Sequence, residues 1–184
     1  MGAIANGRLQ STAQSQFYRR VTQISHRKSH VAAITGSRTS AMSIILSTLN
    51  ARFSHASLGL RYLMANMGEL TPITQLQEFV IGIKAADVVE KLLAHQPAII
   101  GFGVYIWNVD ELTHIVSILK RVAPNVIIVL GGPEVSYETQ DQAIVKLADY
   151  VVKGWGDITF TRLCQRILHG PKPLMKIHAG EQPP

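Results

Sequence analysis

Residues 97–134 read PAIIGFGVYIWNVDELTHIVSILKRVAPNVIIVLGGPE, and this stretch decides the fold. Its first ten residues form an apolar run of strand length that is rich in β-branched residues and too short to span a bilayer. Asn108 and Glu111 have the spacing of a capping box, which predicts the start of an amphipathic helix. A second apolar run, 125–130, ends at a glycine pair. A strand, helix and strand in this order predict parallel neighbours joined by a right-handed crossover.

The same alternation of apolar runs and helical patterns continues along the chain from Met42. The predicted strands are 42–49, 75–81, 97–106, 125–130 and 149–153, and the predicted helices are 56–67, 85–93, 109–121, 139–148 and a last helix from 157. These repeats predict an α/β domain with a doubly wound, five-stranded parallel sheet, flavodoxin-like or Rossmann-like, in the order 2-1-3-4-5. Ligands of such sheets bind beyond the carboxyl ends of the strands.

The net charge is unevenly distributed along the 184 residues. The formal charge of +6 is carried by residues 1–41, which hold six basic residues and no acid, while the remainder is neutral. We therefore expect no nucleic-acid-binding face on the folded domain. We predict that 1–41 is disordered, as a targeting peptide, a phosphate-contacting arm or, preferably, an upstream extension with Met42 as the working start.

Three further features bound the class of protein. The longest apolar run is too short for a membrane span, so we expect no membrane association. The single cysteine, Cys164, excludes an intramolecular disulfide and fits a reducing, cytoplasmic location. Residues 42–170 are predicted to form the domain, and the proline-rich segment 171–184 is predicted to begin a linker.

Candidate ligand-binding residues follow the predicted strands. Gly131 and Gly132, and later Gly154 and Gly156, either admit a ligand or make ordinary tight turns. Aromatic residues after Gly103 either contact a flat ligand or belong to the core. His55 is a further candidate, and it is either a metal ligand or a solvent-facing loop residue.

Several common chemistries are absent from the sequence. It has no Gly-x-x-x-x-Gly-Lys-Ser/Thr phosphate loop, no Gly-x-Gly-x-x-Gly after the first strand and no Gly-x-Ser-x-Gly. A receiver domain needs acidic residues where Leu49, Asn50 and Val104 stand, so a phosphoacceptor is excluded.

Three motifs carry a resemblance to a known family: NARFSHASLGLRYL at 50–63, IGFGVYIWN at 100–108 and LGGPEVS at 130–136, followed by the turn GWGD at 154–157. Over residues 42 to about 170, the chain resembles the N-terminal cobalamin-binding domain of cobalamin-dependent radical S-adenosylmethionine enzymes. The family's Gly-Glu-Gly-Glu turn is changed here, because Trp155 replaces an acid.

The resemblance implies cobalamin over the carboxyl ends of the strands, with its nucleotide tail beside the sheet. The implied cofactor-binding residues are Asn50, Ser54, His55, Ser57, Gly103, Val104, Tyr105, Trp107, Gly131, Gly132, Pro133, Glu134, Gly154, Trp155 and Gly156. In the wider fold, the histidine of an Asp-x-His-x-x-Gly loop ligates cobalt, which makes His55 the candidate cobalt ligand. Here Phe53 replaces the aspartate and Leu58 replaces the glycine.

The family's catalytic half carries a Cys-x-x-x-Cys-x-x-Cys motif for an iron–sulfur cluster, which one cysteine cannot supply. We therefore expect a chain that is not catalytic alone: a truncated product, or one subunit that serves a separate radical S-adenosylmethionine domain. An alternative is a non-catalytic interaction module with a degenerate pocket, which Phe53 and Trp155 favour. A flavin- or nucleotide-binding flavodoxin-like domain is a third possibility.

Overall fold

A computed structural model describes residues 43–137, 139 and 141–181, so the predictions for residues 1–41 lie outside the described residues. The strands in this part of the chain are β1 (Ser43–Asn50), β2 (Thr74–Val80), β3 (Pro97–Gly103), β4 (Ile127–Gly131), β5 (Tyr150–Lys153) and β6 (Ile177–Ala179). The helices are α1 (Leu58–Ala65), α2 (Ala85–Leu93), α3 (Val109–Val122), α4 (Ala143–Leu147) and α5 (Asp157–His169), with 3₁₀ helices at Gly68–Ile73 and Pro133–Val135.

The strands form one parallel sheet in the order β2-β1-β3-β4-β5-β6. The predicted order of the first five strands is confirmed, whereas the predicted count of five is wrong. β6 comes from the segment that was expected to begin a linker. The Val151 amide donates to the Lys176 carbonyl at 2.8 Å, and the Gly180 amide donates to the Lys153 carbonyl at 2.6 Å. A three-residue strand is too short for a readable period, so the sequence did not predict it.

The helices cover the sheet in two layers. Helices α1 and α5 contact each other, while α3 contacts both α2 and α4. One core cluster joins Ile44 and Ile99 of the central strands to Leu60 of α1 and Phe160 of α5. Because side chains alternate along a strand, Ile45 and Ile100 are directed to the opposite face, and both are fully buried. The apolar runs of the sequence are therefore central strands that are buried on both faces.

The predicted capping box at the start of α3 is wrong. The helix begins at Val109, but the Asn108 side chain makes no capping hydrogen bond. Both Glu111 carboxylate oxygens instead accept from the Gly82 amide at 3.1 Å. No helix among the described residues is long and apolar enough to cross a membrane.

Candidate functional site

The carboxyl ends of β1, β3, β4 and β5 meet at one edge of the parallel sheet, here called the carboxyl edge. Every site residue that the sequence resemblance implied ends one of these strands or follows it before or near the next helix. The fold thus brings four separate sequence segments to one place. This edge is where ligands of doubly wound sheets bind.

A cavity of about 240 Å³ lies at the carboxyl edge, between the sheet and helices α1 and α5. It is lined by Gly59, Leu60, Leu63, Gly101, Phe102, Gly103, Tyr105, Val129, Leu130, Gly131, Gly132, Pro133, Val152, Gly154, Gly156, Asp157 and Phe160. Seven implied site residues line it: Gly103, Tyr105, Gly131, Gly132, Pro133, Gly154 and Gly156. The implied residues Asn50, Ser54, His55, Ser57, Val104, Trp107, Glu134 and Trp155 do not.

Gly101 and Phe160, which sequence reasoning missed, both line this cavity. A Cβ atom at Gly101 would lie 2.8 Å from two ring atoms of Phe160 and 3.3 Å from Leu46 Cδ2. The missing side chain therefore lets the Phe160 ring approach the strand. A glycine inside an otherwise β-branched strand was the available signal, whereas the contribution of α5 depends on tertiary packing.

Tyr105, which lines the cavity, stacks on Trp107, which does not line it. Their ring centroids are 4.6 Å apart and the planes differ by 5°. Small residues make room for Tyr105, since a Cβ atom at Gly59 would lie 3.3 Å from its hydroxyl oxygen. Trp107 Nε1 donates to the Leu49 carbonyl at 3.2 Å, and the side chain remains about half exposed. The pair therefore presents a fixed, flat aromatic surface.

Asn108 holds the ends of β1 and β3 together from a fully buried position. Its Nδ2 donates to Thr48 Oγ1 at 3.1 Å, to the Leu49 carbonyl at 3.0 Å and to the Gly103 carbonyl at 3.2 Å. Its Oδ1 accepts from the Tyr105 amide at 2.8 Å. The side chain that resembled a helix cap therefore fixes the site, because the strand ends offer it more buried partners.

The backbone conformation explains why a glycine is needed in the pair that follows β4. Gly132 has a φ of 109°, and a Cβ atom there would lie 2.5 Å from the Val104 carbonyl oxygen. The Val104 amide donates to the Gly131 carbonyl at 2.8 Å. Gly132 is therefore required by the close approach of the chain after β3. The neighbouring Gly131 and Pro133 face the cavity.

The loop after β1 is anchored at both ends. Asn50 Nδ2 donates to the His55 carbonyl at 2.9 Å, and Ser57 Oγ accepts from the Leu60 amide as the cap of α1. Between these anchors, Phe53, Ser54 and His55 are exposed. Ser57 is thus the cap of α1, and the loop presents the His55 imidazole to solvent outside the cavity.

Glu78 of β2 ties this loop to the sheet. Its carboxylate accepts from the Ser57 amide at 2.6 Å and forms a two-pronged ion pair with Arg61 at 3.0 and 3.2 Å. Burial raises the pKa of Glu78, but the hydrogen bonds from Arg61 and Ser57 outweigh it, so the pKa lies below its ordinary value. The carboxylate therefore stays ionised at neutral pH and holds the start of α1.

Large apolar side chains are exposed around the same edge. This apolar rim consists of Phe53, Leu58, Tyr62, Ile106, Trp107, Tyr137 and Trp155. Each follows the end of β1, β3, β4 or β5, or lies on α1 beside them. Exposed apolar residues that cluster rather than scatter indicate an interaction surface.

No group of three or more histidine, cysteine, aspartate or glutamate side chains suitable for a metal ion occurs among the described residues. Cys164 is buried within α5, and burial raises the pKa of its thiol. The thiol is therefore protonated and inaccessible.

The fold and site define a doubly wound α/β domain with a ligand cavity at the carboxyl edge. The chain belongs to the B12 binding domain family, whose model matches residues 44–164. A solved structure of a cobalamin-binding protein from Desulfitobacterium hafniense DCB-2 is similar, with a TM-score of 0.50 and 19% sequence identity. The match covers 68% of this chain and 58% of that protein, and it supports the fold. A search of curated proteins found no match.

Proposed function

We propose that this domain binds cobalamin, with the corrin ring over the carboxyl edge and the nucleotide tail in the cavity. The observation that carries the proposal is the glycine-walled cavity at that edge in a chain of the B12 binding domain family. When bound, cobalamin supplies a cobalt centre that can carry a methyl group.

The cavity fits a flat, mainly apolar base. Among the described residues that line it, only Tyr105 and Asp157 carry polar side-chain atoms. The Gly101–Phe160 contact gives the cavity an aromatic wall on which a planar ring can stack. A planar heterocycle that enters it would therefore be held by apolar contact and stacking.

The corrin ring would lie on the apolar rim. The outer face of Trp107 is held in place by its hydrogen bond and by Tyr105, so contact costs little side-chain entropy. Phe53, which replaces the aspartate of the wider fold's loop, and Trp155, which replaces an acid of the family's turn, both belong to this rim. In this proposal, the other implied residues contact the cofactor from the carboxyl edge: Asn50, Ser54, Ser57, Val104, Glu134 and Trp155.

We propose that His55 would be the protein residue that holds cobalt when cobalamin is bound. It is the exposed imidazole of the loop after β1, which Asn50 anchors at the His55 carbonyl. Phe53 offers no acceptor that could orient the imidazole, so the ring must be oriented by the ligand itself.

We further propose that the bound cofactor serves a separate radical S-adenosylmethionine domain or subunit, which would carry the iron–sulfur cluster.

A second candidate function is a non-catalytic interaction module that docks a catalytic partner. The exposed apolar rim favours it, because such a surface suits a protein partner as well as a corrin. Corrinoid binding distinguishes the two candidates.

The test is a visible absorption titration of the full chain with hydroxocobalamin, followed by desalting. We expect retained corrinoid with a shifted spectrum. Cobinamide, which lacks the nucleotide, should bind more weakly because it leaves the cavity empty. After reduction to Co(II), His55→Ala should remove nitrogen hyperfine splitting from the electron paramagnetic resonance spectrum. Colourless protein after desalting would contradict cobalamin binding and support the interaction module.

A further inference from the structure

A second cavity, of about 310 Å³, lies between α5 and β6. None of its lining residues lines the cavity at the carboxyl edge. The residues that line it include the apolar Leu163, Met175 and Ile177 together with Arg162, Arg166 and His178. This α5–β6 groove is therefore amphipathic, unlike the mainly apolar first cavity.

The two arginines lie on one face of α5, one helical turn apart. Arg162 forms an ion pair with Glu181, and both side chains are more than half exposed, at 60% and 58%. An exposed pair of this kind contributes little to stability and is easily displaced. Arg166 has no side-chain partner in the described part of the chain. The groove therefore keeps one uncompensated positive charge, and a second that is neutralised by an exposed carboxylate.

His178 adds an unused polar atom to the same groove. Its ring packs against Tyr150, with centroids 5.8 Å apart, so its position in the sheet is fixed. Its Nε2 is buried and has no hydrogen-bond partner within residues 43–181, leaving aside 138 and 140. A buried polar atom without a partner costs free energy that a ligand can recover.

We propose that the α5–β6 groove binds an organic phosphate monoester. The guanidinium of Arg166 offers a planar pair of donors that matches phosphate oxygens, and His178 Nε2 can supply a third donor. Arg162 also binds the phosphate once the phosphate has displaced the Glu181 carboxylate from its ion pair with Arg162. Leu163 provides apolar contact for the organic group. Carboxylates are weaker ligands, because they offer fewer oxygens to these donors.

The test is a nuclear magnetic resonance titration of the ¹⁵N-labelled full chain with phenyl phosphate, inorganic phosphate and benzoate. We expect saturable shifts at Arg166 Nε–H and at the Thr159 and Glu181 amides, with phenyl phosphate the tightest ligand. Arg166→Gln should raise the dissociation constant by about tenfold or more, because a charged hydrogen bond is lost. Glu181→Gln should lower it, because the competing carboxylate is removed.

Lys172→Gln is the matched control, since Lys172 is exposed, carries the same charge and does not line the groove. It should leave the dissociation constant unchanged. The proposal is overturned if the shifts are spread over the surface without saturation, or if Arg166→Gln and Lys172→Gln have equal effects. It is also overturned if Glu181→Gln weakens binding. None of these readouts depends on cobalamin.

Discussion

At the scale of single residues, the site depends on positions where the chain omits a side chain. The absence of a side chain allows the Phe160 ring to approach Gly101 and the Val104 backbone to approach Gly132. These two close contacts differ in kind. At Gly101 the neighbour is a side chain that forms part of the cavity wall, whereas at Gly132, which also lines the cavity, the neighbour is backbone. A glycine motif therefore does not by itself identify a ligand site, because packing of the fold also requires glycines.

Gly101→Val should close the cavity while sparing the rim. The added methyl groups overlap the Phe160 ring, so we expect a cost of about 1–3 kcal/mol in the free energy of unfolding. Cobalamin affinity should fall to that of cobinamide, and cobinamide affinity should be unchanged. The double variant Gly101→Val, Phe160→Leu should recover part of the cobalamin affinity, because the opposing ring is removed. Equal losses for both corrinoids would contradict the assignment of the cavity to the nucleotide.

Asn108→Ala should destabilise the domain by about 3 kcal/mol, because it removes three buried hydrogen bonds at the ends of β1 and β3 and leaves the Tyr105 amide without its acceptor. Urea denaturation measures this loss. Asn125→Ala, at an exposed position, is the control and should have little effect. A loss below 1 kcal/mol for Asn108→Ala would show that water replaces the network.

At the scale of elements, long apolar runs were predictable and side-chain partners were not. The order of five strands followed from the β/α repeats and from the doubly wound fold that they indicate. The hydrogen bonds of the Asn108 side chain could not be predicted from the sequence. An asparagine can cap a helix or link the ends of two strands, and the residue type alone does not distinguish these roles. β6 was missed because pairing with β5, rather than its own pattern, makes those residues a strand. The cavity residues of α1 and α5 were missed because their contacts cross the fold.

The hydrogen bonds and ion pair by which Glu78 of β2 holds the start of α1 should make the stability of the domain depend on pH. Its pKa is lowered in the folded state, so its stabilising contribution is present at neutral pH. That contribution is lost as the pH falls below the ordinary value of 4.5 and through the lower folded value. Glu78→Gln should therefore reduce the free energy of unfolding at pH 7 but have little effect near the acid end of this range. Glu69→Gln, at an exposed position, is the control. An equal effect at both pH values would contradict an ionic role.

At the scale of the whole molecule, α5 separates the two cavities. Phe160 and Asp157 face the first cavity, while Arg162 and Arg166 face the α5–β6 groove. The buried Cys164 lies between these positions on the same helix. Its reactivity therefore reports how often the region between the two sites opens.

Cobalamin should protect Cys164 from alkylation. The buried thiol reacts only after opening, because burial excludes the reagent and raises the pKa of the thiol. A ligand that binds only the folded state lowers the open population by mass action, about 100-fold when its free concentration is 100 times the dissociation constant. Iodoacetamide labelling with cyanocobalamin, followed by mass spectrometry, measures this protection, and cobinamide at the same concentration should protect less. Unchanged labelling at saturating cobalamin would mean that α5 opens without releasing the ligand, which is incompatible with a nucleotide held against Phe160.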